Sequence, residues 1–376
     1  MDKVRTQALF ENLLQSVTAK PESFLGFSQA ESLTLGDFID DLDLGLTLDW
    51  NGVSFQGLPT LRQHVLTQAG LQRICNADDV LITAGAAEAN YLALRQSLRA
   101  GDEIIIERPG WPQAEVLARA TGAKIRIIDR DEDVGWVLPL DELKAMVSSR
   151  TRMIFVTNPN NPTGRLMDGE ELTRLADIAS RYDSWLVVDE VYAGLEWTRD
   201  RMPSIAGIYE RGIATGSVSK VFGMQGLRLG WMICRDKGMI HDALVLREYS
   251  SQISNHLGEA ITEVALRPYR RTELLARIRA GSLANLEMLS SFIESHPCLS
   301  WHPPEAGLIG LVRLESDALS GDMLAARALQ PPYRTFLISG SAYGKPDHIR
   351  LGVGGGSAAN LQAGLEKLNE LMAEFT

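Results

Sequence analysis

The stretch that decides the fold class reads Met153-Ile154-Phe155-Val156-Thr157-Asn158-Pro159-Asn160-Asn161-Pro162-Thr163-Gly164. Its first half is a short apolar run with β-branched residues, which is typical of a buried strand. Its second half is rich in Asn, Pro and Gly, which by itself indicates a turn. Open α/β sheets bind ligands at the carboxyl ends of their parallel strands, so this stretch also predicts a candidate site.

Similar apolar runs occur on both sides of this stretch. They are Val80–Thr83, Glu103–Ile106, Lys124–Ile128 and Leu186–Asp189, and helix-length segments at 87–99, 113–121 and 169–182 lie between them. Apolar strands that alternate with helices indicate a mainly parallel sheet between helical layers. We therefore predict an α/β fold with a large domain over residues 51–240.

The rest of the chain predicts a second, smaller domain. Residues 236–295 have a mainly helical pattern, strands return at 308–313, 335–338 and 349–353, and a last helix is expected at 358–375. We expect residues 1–50 to form an N-terminal arm and part of the small domain. Residues 241–285 would form a helical connection, and residues 286–376 would form a small α+β domain.

The composition indicates a folded protein and excludes some classes of partner. The chain has 376 residues, of which 45% are hydrophobic, and its net charge is −11. This negative charge argues against nucleic acid and anionic lipid as partners, and no apolar run has the roughly 18 to 20 residues of a membrane helix. The start of the chain lacks a secretory pattern, and Cys75, Cys234 and Cys298 have no disulfide or metal-ligand spacing. We expect a cytoplasmic protein without a metal.

Two further segments carry groups that are able to do chemistry. The strand at Leu186–Asp189 continues into Glu190-Val191-Tyr192, although Asp189 alone could equally cap a helix or a turn. Ser217-Val218-Ser219-Lys220 is followed by Arg228, and these hydroxyl and cationic groups could surround a phosphate. A lone lysine is usually a surface residue. The apolar and Gly-rich neighbours of Lys220 instead predict burial, which lowers the pKa of an amine as Schiff-base chemistry requires.

Seven motifs follow one another in a fixed order along most of the chain. They are Gly85-Ala86-Ala87-Glu88-Ala89, Arg108–Pro112, Asn158–Gly164, Asp189–Tyr192, Ser217–Lys220, Gly226–Trp231 and His348–Gly352. In order and spacing they resemble the class I/II aminotransferase family of fold-type I pyridoxal-phosphate enzymes. The resemblance implies a mainly parallel, seven-stranded sheet in the large domain and pyridoxal 5′-phosphate as the cofactor.

The resemblance also implies which residues carry the catalysis. Lys220 would form the Schiff base with the cofactor and afterwards carry the proton to and from the substrate Cα. Asp189 would pair with the pyridine nitrogen and keep it cationic, which makes the ring an electron sink. Asn161 and Tyr192 would hydrogen-bond the 3′ oxygen, with Asn161 also near the substrate. Trp111 would stack on the ring, although a Trp in this position could equally be core packing.

The resemblance also implies which residues bind the cofactor phosphate and the substrate α-carboxylate. The cofactor phosphate would be held by Gly85-Ala86-Ala87 at the start of a helix, where free backbone amides attract an anion. Ser217, Ser219 and Arg228 would complete this phosphate site. Arg350 would bind the substrate α-carboxylate through two parallel hydrogen bonds, whereas an arginine in a strand is otherwise more often a surface residue.

Two segments depart from the family pattern. Members often carry a Tyr that reaches the phosphate site of the neighbouring subunit, but this chain has Gly52 there, with Trp50 and Phe55 nearby. Dicarboxylate-specific members have a second arginine in a segment that here, at 250–256, contains none. Neither this cross-subunit contact nor an aspartate or glutamate donor is therefore predicted.

The leading hypothesis is an aminotransferase that moves the α-amino group of an L-amino acid to a 2-oxo acid, acting as a homodimer with shared active sites. Residues 30–37 also resemble a bacterial branch with capreomycidine synthase and arginine-oxidising enzymes. The alternative is therefore a non-transaminating enzyme of the same fold: a cyclase, an arginine oxidase or hydroxylase, or a β/γ-eliminase.

Two other classes are disfavoured by the sequence. A nicotinamide-dependent oxidoreductase would have a GxGxxG motif after its first strand, but residues 85–90 lack its glycines. A transcription regulator with a ligand domain of this family would need an additional basic module for DNA, and the catalytic fold already accounts for the whole chain.

Overall fold

A computed structural model of the chain describes residues 8–50, 52–197, 199–316, 319–353 and 357–375. Its helices α1 to α12 are, in chain order, Ala8–Ala19, Pro59–Ala69, Ala86–Ser97, Gln113–Thr121, Leu140–Met146, Gly169–Ser180, Ile205–Ile208, Lys237–Arg247, His256–Leu266, Pro268–Glu294, Gly321–Ala328 and Ala358–Met372. Its strands β1 to β13 are Ser23–Phe24, Val80–Thr83, Glu103–Arg108, Lys124–Asp129, Thr151–Thr157, Trp185–Asp189, Gly212–Ser217, Gly230–Cys234, Leu299–Trp301, Ile309–Leu314, Thr335–Phe336, Ile338–Ser339 and His348–Gly352.

The largest sheet has seven strands in the order β2-β8-β7-β6-β5-β3-β4. Five of them, from β7 to β4, pair in parallel, whereas β8 is antiparallel to both of its neighbours. The predicted α/β class with a mainly parallel sheet is therefore confirmed. The stretch at 124–128 forms the edge strand β4, so its Lys124 is exposed instead of buried between helices.

Helices cover both faces of this sheet. Along β3, Ile104 and Ile106 belong to one buried apolar cluster with α3, α4 and α8, while Ile105 belongs to a second cluster with α2, α6 and α9. Because successive strand residues point to opposite faces, a strand that is apolar at every position is buried on both sides. This burial leaves the carboxyl ends of the parallel strands as the open edge.

The C-terminal part of the chain builds an antiparallel sheet in the order β12-β13-β10-β9. The short strand β1 pairs with β11 beside it, so residues just after the N-terminal helix α1 join the C-terminal strands. Helix α10 runs through position 285, where we expected a helical connection to end and the small domain to begin. Among the described residues, no helix is both long enough and apolar enough to cross a membrane.

Candidate active site

A cavity of about 190 Å³ lies at the carboxyl ends of the parallel strands. The strands β5, β6 and β7 end there at Thr157, Asp189 and Ser217, as expected for an open α/β sheet. Of the residues singled out from the sequence, the lining includes Ala86, Ala87, Trp111, Asn161, Asp189, Tyr192, Ser217, Ser219, Lys220 and Arg228. Gly85 precedes Ala86 directly, and Arg350 contacts Asn161 from the second sheet.

Lys220 lies three residues beyond the end of β7, with its amine directed into this cavity. Burial lowers its pKa to about 8, and the positive charges of Arg350 and Arg228 act in the same direction. The negative charge of Asp189 opposes them. An amine with this pKa changes protonation state near neutral pH, which suits it to accept and return a proton.

Asp189 is buried at the end of β6, and its carboxylate is held in a fixed orientation. Its Oδ2 accepts a hydrogen bond of 2.8 Å from Asn90 Nδ2, and its Oδ1 accepts one from the backbone N–H of Val191. The hydroxyl of Thr215 donates to Asn90 Oδ1, which fixes the direction of the Asn90 amide. Burial nevertheless raises the pKa of Asp189 to about 6, so a cationic ligand group beside it would stabilise its ionised form.

The other end of the cavity is suited to an anion. Helix α3 begins at Ala86, and the first backbone N–H groups of a helix have no partner within the helix. Gly85 has a positive φ of 87°, and a Cβ at this position would come within 2.7 Å of Arg228 Nη2. A side chain at Gly85 would therefore displace the Arg228 guanidinium from the start of α3, where Ser217 and Ser219 also line the cavity.

Arg350 is buried on β13, and its guanidinium reaches the cavity lining through Asn161. It donates to Asn161 Oδ1 at 3.2 Å, to the Tyr343 hydroxyl at 2.6 Å and to the carbonyl of Gly26 at 2.6 Å. Its Nε is buried and has no hydrogen-bond partner among the described residues. A carboxylate would therefore satisfy a donor that is otherwise unpaired.

Trp111 lines the cavity beside the start of α3. Its indole N–H donates to Gln113 Oε1 at 3.4 Å, and Gln113 Nε2 donates to the carbonyl of Ala87 at 2.7 Å. Asn90 Nδ2 also approaches Gln113 Oε1 at 3.2 Å. Gln113 therefore connects the indole to the helix that carries the anion site and the partner of Asp189.

A buried ion pair between Glu107 and Arg130 holds the turn at 158–164 in place. Glu107 Oε1 accepts hydrogen bonds from the N–H of Thr157 and from Asn160 Nδ2, and Glu107 Oε2 accepts from Arg130. A buried carboxylate that is fully paired in this way holds the backbone of the turn in one position. Asn161, the next residue of this turn, is thereby fixed at the cavity.

Among the residues of this site that were not predicted from the sequence, four make side-chain hydrogen bonds within it. Ser28, Asn90 and Gln113 line the cavity, and Tyr343 contacts Arg350. Asn90 and Gln113 each directly follow one of the recognised motifs, near the start of a helix, so their positions carried a signal. Ser28 and Tyr343 lie in segments without such a motif.

The opposite character of the two cavity ends defines the ligand that fits. An elongated molecule with an anionic group at α3, a cationic atom at Asp189 and an electrophilic carbon at Lys220 would satisfy all three groups. Within the described residues, no group of three or more His, Cys, Asp or Glu side chains is placed to hold a metal ion.

Comparison with known proteins gives consistent similarities. A family model described as aminotransferase class I and II matches residues 51–368. The chain is 24% identical to capreomycidine synthase of Streptomyces vinaceus over 349 residues, which is 92% of this chain and 88% of that protein. It is 25% identical to an arginine–pyruvate transaminase of Pseudomonas aeruginosa, over 79% of this chain and 76% of the relative. Its fold matches a PLP-dependent aminotransferase from Streptococcus suis with a TM-score of 0.91 and 26% identity, covering 100% and 99% of the two chains.

Proposed function

The chain belongs to the class I and II aminotransferase family, and we propose that it transfers the α-amino group of an L-amino acid to a 2-oxo acid. It has the fold of fold-type I enzymes, and its cofactor is pyridoxal 5′-phosphate. The observation that carries the proposal is that Lys220 and Asp189 line one cavity at the strand ends, and that Arg350 donates to Asn161 of the same lining.

The residues of the cavity fit this cofactor. Ala86, Ala87, Ser217, Ser219 and Arg228 would hold its phosphate at the start of α3. When bound, the cofactor supplies a ring that withdraws electrons from the substrate α carbon. The carboxylate of Asp189 would keep the ring nitrogen protonated, and the indole of Trp111 would cover one face of the ring.

The substrate would be oriented by the groups around Arg350. Its unpaired Nε and the donors shared with Asn161 and Tyr343 would bind the α-carboxylate, which fixes the direction of the Cα–H bond. Lys220 Nζ would then take the α proton of the amino acid. In the second half of the reaction it would return a proton to the carbon of the 2-oxo acid that receives the amino group. Its pKa of about 8 supports both directions of transfer near neutral pH.

A second candidate is a cyclase-like reaction in which the same residues activate the substrate but no amino group is exchanged. The similarity to capreomycidine synthase, which spans 92% of this chain, favours keeping this candidate. Lys220, Asp189 and Arg350 would have the same roles in both reactions, so the fate of the product separates the two.

The proposal is tested by mixing the holoenzyme with single amino acids, including arginine, in the absence of oxo acid and oxygen. A transaminase is expected to release one equivalent of 2-oxo acid and to leave its cofactor in the amine form, measured by absorption and mass spectrometry. A cyclised or eliminated product, or an oxidised product after air is admitted, would contradict transamination and support the second candidate.

The Arg350→Lys variant is expected to raise the KM for the amino acid by about 10- to 100-fold, because a point charge replaces a planar donor pair. The effect on kcat is expected to be smaller, since the proton-transfer groups are retained. Steady-state kinetics would measure both constants. Arg313→Lys, on the neighbouring strand β10 and partly exposed, is the matched control. An unchanged KM in Arg350→Lys would rule out the proposed carboxylate site.

We also propose that the protein is a homodimer. Several apolar side chains between residues 44 and 55 are exposed in the single chain, including Leu44 at 78% and Leu48 at 77%. Trp50 and Phe55 stack on each other with ring centroids 4.6 Å apart in the same segment. Such a surface is typical of a protein interface. Sedimentation is expected to give a dimer; a fully active monomer would be incompatible with shared active sites.

A further inference from the structure

The segment 25–30, which we call the strap, connects the C-terminal sheet to the loop that carries Lys220. At one end, the N–H of Gly352 donates to the carbonyl of Leu25, and the N–H of Gly26 donates to the carbonyl of Phe336. At the other end, the N–H of Ala30 donates to the carbonyl of Lys220 at 2.9 Å. These backbone bonds fix the path of the strap without the help of its side chains.

The strap brings Ser28 to the amine of Lys220. The Ser28 side chain is buried, it lines the cavity, and its Oγ lies 3.1 Å from Lys220 Nζ. Its hydroxyl also lies near the Tyr192 side chain, where it partly offsets the burial that raises the pKa of that phenol. Ser28 therefore contacts the group that we propose as the proton carrier and a residue that we place at the cofactor.

The hydrogen count gives this small network a direction. An amine N–H of Lys220 donates to Ser28 Oγ, so the single hydrogen of the Ser28 hydroxyl is free to be donated to Tyr192. Burial raises the pKa of Tyr192 to about 12, so Tyr192 keeps its own hydrogen and remains a donor. The network runs from Lys220 through Ser28 to Tyr192.

We propose that Ser28 is a positioning residue, whose hydroxyl orients the Lys220 amine and stabilises its protonated form during proton transfer. The inference rests on the proposed role of Lys220 as proton carrier. In that step the α proton leaves the substrate carbon, the electrons of the C–H bond stay with the substrate, and the lone pair of Nζ binds the proton. The hydrogen bond to Ser28 holds one N–H away from the substrate, so that the lone pair is free to face the α hydrogen.

A purely structural role for Ser28 predicts a different result. The Gly26 carbonyl accepts from Arg350, so displacement of the strap would disturb carboxylate binding and raise the KM. Removal of the hydroxyl alone leaves the backbone bonds of the strap intact. We therefore expect Ser28→Ala to lower kcat by about 10- to 100-fold, the range for loss of a hydrogen bond to a charged group, with the KM within about twofold of wild type.

The kinetic test uses the holoenzyme and measures two rates. The first is turnover, and the second is the exchange of the substrate α hydrogen in deuterated water, followed by NMR. Ser28→Thr retains the hydroxyl and is expected to recover most of the rate. Ser28→Cys keeps the volume but has a weak hydrogen-bonding group, and is expected to behave like Ser28→Ala. Ser32→Ala, an exposed serine just beyond the strap, is the matched control and is expected to be like wild type. Exchange is measured even if the product is cyclised, so failure of transamination is distinguished from failure of this inference.

A second measurement is independent of turnover. The pH dependence of Lys220 acetylation in the full-length protein freed of cofactor, measured by mass spectrometry, gives the pKa of its amine. Ser28→Ala is expected to lower this pKa by about 0.5 to 1, because the ammonium form loses an acceptor. The other charged or titratable groups around the amine, Asp189, Arg228, Arg350 and Tyr192, are unchanged in the variant. An unchanged kcat, an unchanged pKa or a raised KM would each overturn the proposal.

Discussion

The Lys220→Ala variant is expected to lower kcat by about 10⁴-fold or more. The variant loses both the covalent link to the cofactor and the general base, and the base alone contributes about 10² to 10⁴ in rate. Among the cavity residues that the structure describes, Lys220 is the one primary amine. The measurement is steady-state turnover with the donor found in the amino acid series, together with an absorption titration of cofactor binding.

The same titration separates loss of chemistry from loss of the site. The backbone N–H groups at the start of α3 and the Arg228 side chain, which would bind the cofactor phosphate, are retained in Lys220→Ala. Weak, non-covalent cofactor binding is therefore expected to remain. Lys124→Ala, an exposed lysine on the edge strand β4, is the matched control and is expected to keep wild-type activity. Wild-type turnover in Lys220→Ala would show that another group carries the reaction.

Local pattern was enough to predict most of the large sheet. Every position of the run at 104–106 is apolar, and the two faces of β3 are indeed covered by separate clusters. The strand β7 gave no such signal, because it contains Gly212, Ala214 and Gly216. The structure explains this composition: a Cβ at Gly216 would lie 2.6 Å from the indole nitrogen of Trp231 on the neighbouring strand. Small residues here make room for a large neighbour, which a pattern of hydrophobicity does not reveal.

The site could be predicted in part for a similar reason. Asp189 ends the strand β6 and Lys220 lies three residues beyond β7, so the topology of a parallel sheet brings them to the same edge. Ser28 is separated from Lys220 by 192 positions and reaches it through the backbone pairing of the strap with the C-terminal sheet. That pairing depends on tertiary structure, and no local pattern around Ser28 encodes it.

The second large effect is expected at Asp189. Asp189→Asn keeps the shape of the side chain but removes the charge that would hold a proton on the cofactor ring nitrogen. The expected loss in kcat is on the order of 10³-fold, the scale found when one preorganised electrostatic partner of a reacting group is removed. Binding of the amino acid is expected to change little, since Arg350 lies on the other sheet. Single-turnover rates at saturating substrate would measure the effect, and a loss of less than about tenfold would contradict the proposed pairing.

The same variant is expected to stabilise the protein when the cofactor is absent. Burial raises the pKa of Asp189 from an ordinary 3.8 to about 6, so ionisation of this carboxyl destabilises the folded state, increasingly from about pH 4 to pH 6 and fully above that. A shift of this size corresponds to about 3 kcal/mol, and the imperfect hydrogen bonding of an amide to Asn90 and Val191 offsets about 1 kcal/mol. Urea unfolding of cofactor-free Asp189→Asn should therefore show about 2 kcal/mol more stability than wild type at pH 8 and no gain at pH 4. Asp129→Asn, an exposed carboxylate at the sheet edge, should show no such dependence on pH. A loss of stability at pH 8 would mean that the ionised carboxylate is well accommodated without a cationic ligand, and that the lowered kcat reflects damage to the fold.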